Sequence, residues 1–192
     1  RHLNAVSGDM FSASHNLPPD NGKKVYDEHG GQLIPPHDQT LVDEVTGHVQ
    51  TIKRLPFEEA RRRGLVQIVG EEIDRAYHAS AGAVSLSSDR GLKIFYSPLH
   101  GTGVTTVYPV LKGLGFDVTL CPATSNLSGA FEKVTFNIPN PEVVESFNTS
   151  LPLAQKTAAD ILLSTDPDAD RIGIMVDHRG QWLFLTGNEI AI

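Results

Sequence analysis

Three aspartates stand at alternate positions in the hexapeptide Asp166-Pro167-Asp168-Ala169-Asp170-Arg171. In a tight loop, carboxylates spaced this way converge on one point and repel each other. A hard divalent cation with oxygen ligands resolves that conflict. Two other readings compete with a metal loop. One is a solvated acidic turn. The other is an EF-hand, whose first, third and fifth positions match, but Arg171 stands where that loop needs Gly and Asp177 where it usually has Glu. The flanks also read as strands, so metal binding is favoured. Arg171 brings a planar guanidinium, suited either to hold a phosphoryl group or to pair with the aspartates themselves.

Ser14 is the second candidate. It lies in the polar stretch Ser12-Ala13-Ser14-His15-Asn16, with a titratable neighbour in His15 and a cation at Lys24, beyond a turn that could fold it back. A loop serine taken alone mostly bonds local backbone. Its company with an aspartate loop is what makes it a candidate nucleophile. A third stretch, Ser97-Pro98-Leu99-His100-Gly101-Thr102-Gly103, links a strand to a helix, where phosphate loops occur. It lacks the third Gly of a dinucleotide fingerprint and the Lys of a P-loop, so a structural turn is favoured over an anion site.

These residues need elements to hold them, and the chain offers two sets. In the first, Val6 to Phe11 reads as a strand and Leu17 to Gly22 as dense turn chemistry. Leu41, Val42, Val45, Val49 and Ile52 recur at helical spacing after a cap at Asp38. Short helices follow at Pro56 to Arg63 and Glu71 to Ala81. The small, Ser-rich stretch Gly82 to Arg90 reads as a linker. In the second set, a strand at Lys93 to Tyr96, a helix at Val104 to Leu114 and a strand at Asp117 to Cys121 form a βαβ unit with parallel strands. Asn140-Pro141-Glu142 reads as a helix start, and Pro152 as its break or restart. Strands at Asp160 to Thr165 and Ile172 to Val176 flank the aspartate loop, and Gln181 to Leu185 adds another. The expected fold class is therefore α/β, with mixed, mostly parallel sheets and packed helices.

Charge and composition narrow the functions. A formal net charge of −7 argues against non-specific nucleic-acid binding, which needs a basic face. No apolar run approaches a membrane span. A single Cys121 cannot form an internal disulfide and fits a reducing compartment, so a cytoplasmic location is expected. The sequence assigns no oligomeric state.

Ser12-Ala13-Ser14-His15-Asn16, followed by Asp20-Asn21-Gly22 and Lys24, closely resembles the phosphoserine loop of the α-D-phosphohexomutases. Asp166-Pro167-Asp168-Ala169-Asp170-Arg171 looks like that family's metal loop. Ser97 to Gly103 and Asn140-Pro141-Glu142 resemble its second domain in the phosphoglucomutase branch. Leu17 and Lys23 depart from it, standing where the family usually has Pro and often an aromatic.

The resemblance implies two phosphohexomutase-type domains, the first incomplete: residues 1–84 with the phosphoserine loop, 85–185 with the metal loop, and a stub of a third domain at 186–192. It implies that phosphorylated Ser14 passes its phosphoryl group to a hexose 1-phosphate, and that a hexose bisphosphate then returns the other phosphate, leaving the 6-phosphate. Mg²⁺ would be held by Asp166, Asp168, Asp170 and a phosphoserine oxygen. Lys24 and Arg171 would sit near the transferring group, with His15 beside the serine. Glucose, mannose or a pentose could be the sugar. The chain opens on Arg1 without Met and ends one turn into a helix at Ile192, so it is expected to be a piece that binds Mg²⁺ without turning over substrate. The rivals are a Mg²⁺-dependent sugar phosphatase and a non-catalytic Mg²⁺-binding relative.

Overall fold

A computed structural model describes residues 2–191 and groups them in two compact units, residues 2–11 with 23–73, and residues 12–22 with 74–191. In the first, β1 (Gly8–Phe11) pairs antiparallel with β2 (Lys23–Tyr26), Gly8 opposite Tyr26 and Phe11 opposite Lys23. The strand expected from Val6 thus begins two residues later. Two helices follow, α1 (His37–His48) and α2 (Phe57–Arg62). Asp38 is not the cap of α1. Pro36 takes that place, and Asp38 lies in the first turn with its Oδ1 accepting from the Gln39 N–H at 2.7 Å. Proline suits a helix entry because its missing N–H would be unpaired there in any case. The apolar residues that mark α1 as a helix, including Leu41, Val42 and Val45, are all exposed.

The next helix, α3 (Glu71–Gly82), spans the division between the units. The second unit is then built on β3 (Lys93–Ser97), α4 (Val107–Gly113), β4 (Asp117–Leu120), α5 (Leu151–Lys156), β5 (Ile161–Thr165), β6 (Ile172–His178), β7 (Gln181–Leu185) and α6 (Gly187–Ile190). Its sheet has five strands in the order β4-β3-β5-β6-β7. The βαβ expectation holds, since β3 runs parallel to β4 and to β5. The short connections after β5 and β6 reverse the chain, so those pairs are antiparallel. The sheet is mixed as expected, with parallel pairing in half of its pairs rather than most.

Alternation along the strands sends side chains to opposite faces. Phe95, Leu162 and Met175 join Cys121, Phe147 and Ala154 on one face, with Leu151 and Leu153 of α5 packed there. Ile94, Tyr96, Val118 and Leu163 form the other, under Val107, Tyr108 and Leu111 of α4. A helix on each face makes an α/β/α layering that removes both faces of β3 and β5 from water. Each fully buried side chain of this size contributes about 1.5–3 kcal/mol.

Two local expectations fail for identifiable reasons. The helix expected from Val104 to Leu114 is a 3-10 turn at Thr102–Val104 followed by α4 from Val107. Pro109 explains the delay. It lacks an N–H, so it fits only the first turn, where no intrahelical partner is required. Thr105 and Thr106 fill the gap by donating their hydroxyls to the Thr102 carbonyl, each at 3.0 Å. Asn140 begins no α-helix. Its Oδ1 accepts from the Glu142 N–H at 3.0 Å, and the chain passes through a 3-10 turn at Val144–Phe147 before α5 starts with Pro152 in its first turn. At the end, the cap is Thr186, which forms a reciprocal capping box with Glu189. The expected turn there matches α6, and Ile192 lies outside the described residues. Among the described residues no helix is long and apolar enough to cross a membrane.

Gly173 on β6 packs directly against Pro141. The Pro141 backbone presses on it so closely that a Cβ there would overlap the Pro141 carbonyl oxygen and stand 3.0 Å from its carbon. Gly173→Ala is expected to cost about 1–3 kcal/mol through forced displacement of that backbone. Gly113→Ala, where a Cβ meets nothing within 4 Å, is expected to cost nothing. Urea denaturation of the two variants checks the contrast.

Candidate active site

Asp166 is the first residue beyond β5, and the strand delivers it fully buried. Its Oδ1 accepts from two backbone N–H groups, Asp170 at 3.1 Å and Arg171 at 3.0 Å. The Ala169 N–H closes the turn on the Asp166 carbonyl at 3.0 Å, with Ala169 itself in the left-handed region at φ 60°. This winding brings carboxylate oxygens of Asp166, Asp168 and Asp170 within 4.8 Å of one another. Burial changes across the triad, from buried Asp166 through half-buried Asp168 to exposed Asp170.

The stretch Ser97 to Gly103 supports this loop from behind. Pro167 rests against Gly101, where any Cβ would overlap its backbone, including its carbonyl carbon at 2.7 Å. Thr102 donates to the Pro167 carbonyl twice, from N–H at 2.8 Å and from Oγ1 at 3.0 Å. Behind them Tyr96 and Thr165 share a hydroxyl bond of 2.6 Å. Leu99 and His100 turn through positive φ, and the His100 Nδ1 donates to the Asn126 carbonyl at 2.9 Å. The structural-turn reading of this stretch fits that geometry.

The serine loop belongs to the same unit. It closes by the Ser12 N–H donating to the Gly22 carbonyl at 3.1 Å, an approach that excludes a side chain at Gly22 because its Cβ would lie 2.6 Å from the Ser12 carbonyl oxygen. Ser14 takes φ 52° and donates its hydroxyl to Asp166 Oδ2 at 2.6 Å. His15 Nδ1 lies 3.2 Å from the same Oγ. A serine hydroxyl has one hydrogen, and here the carboxylate takes it, so Nδ1 carries its own hydrogen and donates to Oγ. Ser12 Oγ donates to Asp168 Oδ2 at 2.8 Å and accepts from the Ser14 N–H at 2.9 Å.

Of the residues singled out in the sequence, Ser14, His15, Asp166, Asp168, Asp170 and Arg171 lie in this one unit. Lys24 stands on β2 of the other unit, opposite Met10. Arg171 reaches Glu142 at 3.9 Å, so its charge is directed to a carboxylate outside the triad. Sequence reasoning gave no role to Ser12 or Glu142, and the only signal for either was membership of a motif.

The electrostatics follow the geometry. The Asp166 carboxyl is pushed up to about 6, chiefly by burial, against the Ser14 hydrogen bond that lowers it; Asp168 adds to the rise by hydrogen bond and by charge. His15 is held below its ordinary value, first by burial and next by the Arg171 cation, so it is neutral at pH 7. A donor set of three crowded aspartate oxygens suits a hard divalent cation and no soft metal.

Because its carboxyl titrates higher in the folded chain than the ordinary 3.8, Asp166 favours the fold while protonated. That contribution is fully present below about pH 4 and is lost as pH rises through about 6. Asp166→Asn keeps the acceptor for both backbone N–H groups and removes the charge. The metal-free variant at about pH 7.5 is therefore expected to melt above the unsubstituted protein, by about 2–4 °C for each kcal/mol relieved. Where millimolar Mg²⁺ raises the melting temperature of the unsubstituted protein, the variant is expected to lose that gain. Calorimetric melting with and without Mg²⁺ checks both.

Known proteins share this sequence and fold. A model described as phosphoglucomutase/phosphomannomutase, alpha/beta/alpha domain II, matches residues 75–180, and its domain I counterpart matches residues 1–51. The phosphoribomutase of Saccharomyces cerevisiae is 32% identical, over 98% of this chain and 33% of its own length. A phosphoglucomutase of Staphylococcus saprophyticus is also 32% identical, over 100% of this chain and 35% of its own. The chain thus spans about a third of the length of the curated relatives it matches. In fold, the crystal structure of a phosphoglucomutase/phosphomannomutase family protein from Burkholderia thailandensis aligns with a TM-score of 0.67 at 20% identity, covering 92% of this chain and 34% of that one. With the domain II model matched over more than half of its residues, the chain belongs to the phosphoglucomutase/phosphomannomutase family.

Proposed function

We propose that this chain carries the phosphoserine and metal loops of a phosphohexomutase, an isomerase that interconverts hexose 1-phosphate and hexose 6-phosphate through a hexose bisphosphate. The observation that carries the reading is the 2.6 Å bond between Ser14 Oγ and Asp166, the buried member of the aspartate triad. A phosphate on that oxygen would lie directly against carboxylates, an arrangement that demands a cation. Mg²⁺ fits, held by Asp166, Asp168, Asp170 and an oxygen of phosphorylated Ser14. When bound, it neutralises charge on the transferring group.

The chain's own residues divide the remaining work. In the transfer, the bond from phosphorus to Ser14 Oγ breaks as one to a sugar hydroxyl oxygen forms, and the sugar's hydroxyl proton ends on Ser14. The restored hydroxyl is then held by Asp166 Oδ2, with His15 Nδ1 on its other side. The bisphosphate returns its second phosphate to the same oxygen. Arg171 supplies positive charge beside the triad, and its 3.9 Å approach to Glu142 limits where the guanidinium can go. Lys24 is assigned to the same charge balance by the family resemblance of its loop.

On the same reading, residues 1–84 are the later part of a first domain, 85–185 a second and 186–192 a stub of a third. The protein acts in the cytoplasm on hexose phosphates, without nucleic-acid or membrane partners. The piece alone binds Mg²⁺ and lacks turnover.

In the intact protein incubated with Mg²⁺ and glucose 1,6-bisphosphate, peptide mass spectrometry is expected to find near-stoichiometric phosphate on Ser14. Asp168→Asn is expected to lower the rate of that labelling by about 100-fold or more, the scale of losing one preorganised charge at a transfer site. An unlabelled Ser14 in a protein that still binds Mg²⁺ would replace this reading with a non-catalytic relative.

A further inference from the structure

The geometry points to Ser12 as a positioning residue that holds the metal-ligand face of Asp168 and the backbone of Ser14 in one register. Nothing in the proposed chemistry requires it. Its hydroxyl nevertheless does two things at once, donating to Asp168 Oδ2 at 2.8 Å and accepting from the Ser14 N–H at 2.9 Å.

Each bond fixes something the site depends on. Ser14 is a non-glycine residue at φ 52°, a conformation that costs free energy and persists only when its surroundings impose it. The Ser12 hydroxyl accepts from its N–H at 2.9 Å, a tie directly beside that torsion. On the other side, Asp168 is only half-buried and lies in the middle of the loop, flanked by Pro167 and Ala169, neither of which can orient a carboxylate through a side-chain hydrogen bond. Asp166 has two backbone N–H groups on its Oδ1, and Asp168 Oδ2 accepts from Ser12. A carboxylate oxygen has two lone pairs, so Oδ2 can keep the serine and still face a cation.

Ser12 thus stands to Asp168 as an outer partner stands to a metal ligand, and loss of such partners typically costs about 10–100-fold in metal affinity. Because one atom serves both loops, the serine loop cannot shift without turning the carboxylate. This role rests on the proposed reading of the triad as the Mg²⁺ site. It needs no turnover to be tested.

The test is Mg²⁺ titration calorimetry on the unphosphorylated protein, comparing Ser12→Thr with Ser12→Val. The two side chains have nearly equal volume and differ in the hydroxyl, so a fold defect from size alone affects both. Ser12→Thr is expected to bind Mg²⁺ like the unsubstituted protein, and Ser12→Val about tenfold or more weakly. The exchange rate of the Ser14 amide, followed by NMR, is expected to rise in Ser12→Val alone. Equal Mg²⁺ affinity in both variants would overturn the role of Ser12 and leave the mutase reading standing. Absence of Mg²⁺ binding in the unsubstituted protein would overturn the metal reading and this inference together.

Discussion

The second unit is organised around a repulsion. Three carboxylates are wound to within 4.8 Å of each other, the innermost of them fully buried, and each would be better solvated apart. The backbone fixes the turn, through two N–H groups on Asp166 Oδ1 and a left-handed residue at Ala169. Such strain persists only where the surroundings over-determine it. Gly101 packed on Pro167, the paired Thr102 bonds to the Pro167 carbonyl and the Tyr96–Thr165 bond at the end of β5 supply that surplus. The sheet core therefore serves as an abutment, and rigidity at the strand ends is what makes the loop's charge density sustainable.

The serine loop answers the same constraint from the other end of the sequence. Its closure at Ser12 and Gly22 sets two hydroxyls, Ser12 and Ser14, against two of the aspartates. Hydrogen bonds to carboxylates are the strong kind, because the acceptor is ionised. They also lower the charge density that each aspartate presents to its neighbours. Ser14 donates to Asp166 Oδ2 and Ser12 to Asp168 Oδ2. The serine loop and the aspartate loop consequently stabilise each other's unusual geometry, and neither torsion, at Ser14 or at Ala169, is intelligible alone.

Much of this was legible in the sequence, but unevenly. β7 falls on the expected residues, and the parallel β3–β4 pair follows from a strand-helix-strand pattern whose periodicity is local. The triad was legible because its signal is spacing within six residues. Failures came where a distant contact overrode a local rule. Asn140-Pro141-Glu142 has every mark of a helix start, yet the chain turns there, with the Pro141 backbone packed on Gly173 far along the chain. Ser14 acquired meaning through family resemblance, since no local rule distinguishes it from other loop serines. The Ser12 bond spans 156 positions, and a hydroxyl donor of that kind has no period and no spacing to read.

Net charge poses the last question, how a chain at −7 would accommodate phosphate. The balance is local. On the proposed reading, three carboxylates and a phosphoserine of about −2 face one divalent cation and Arg171, with Lys24 added to the balance by the family resemblance of its loop alone. The cation and the basic side chains then offset most of the negative charge and leave about −1. A monovalent cation would leave the site about one further charge short, so a divalent one suits this carboxylate number better. The distant surface can remain acidic because screening confines its repulsion to about a Debye length, roughly 8 Å at physiological salt.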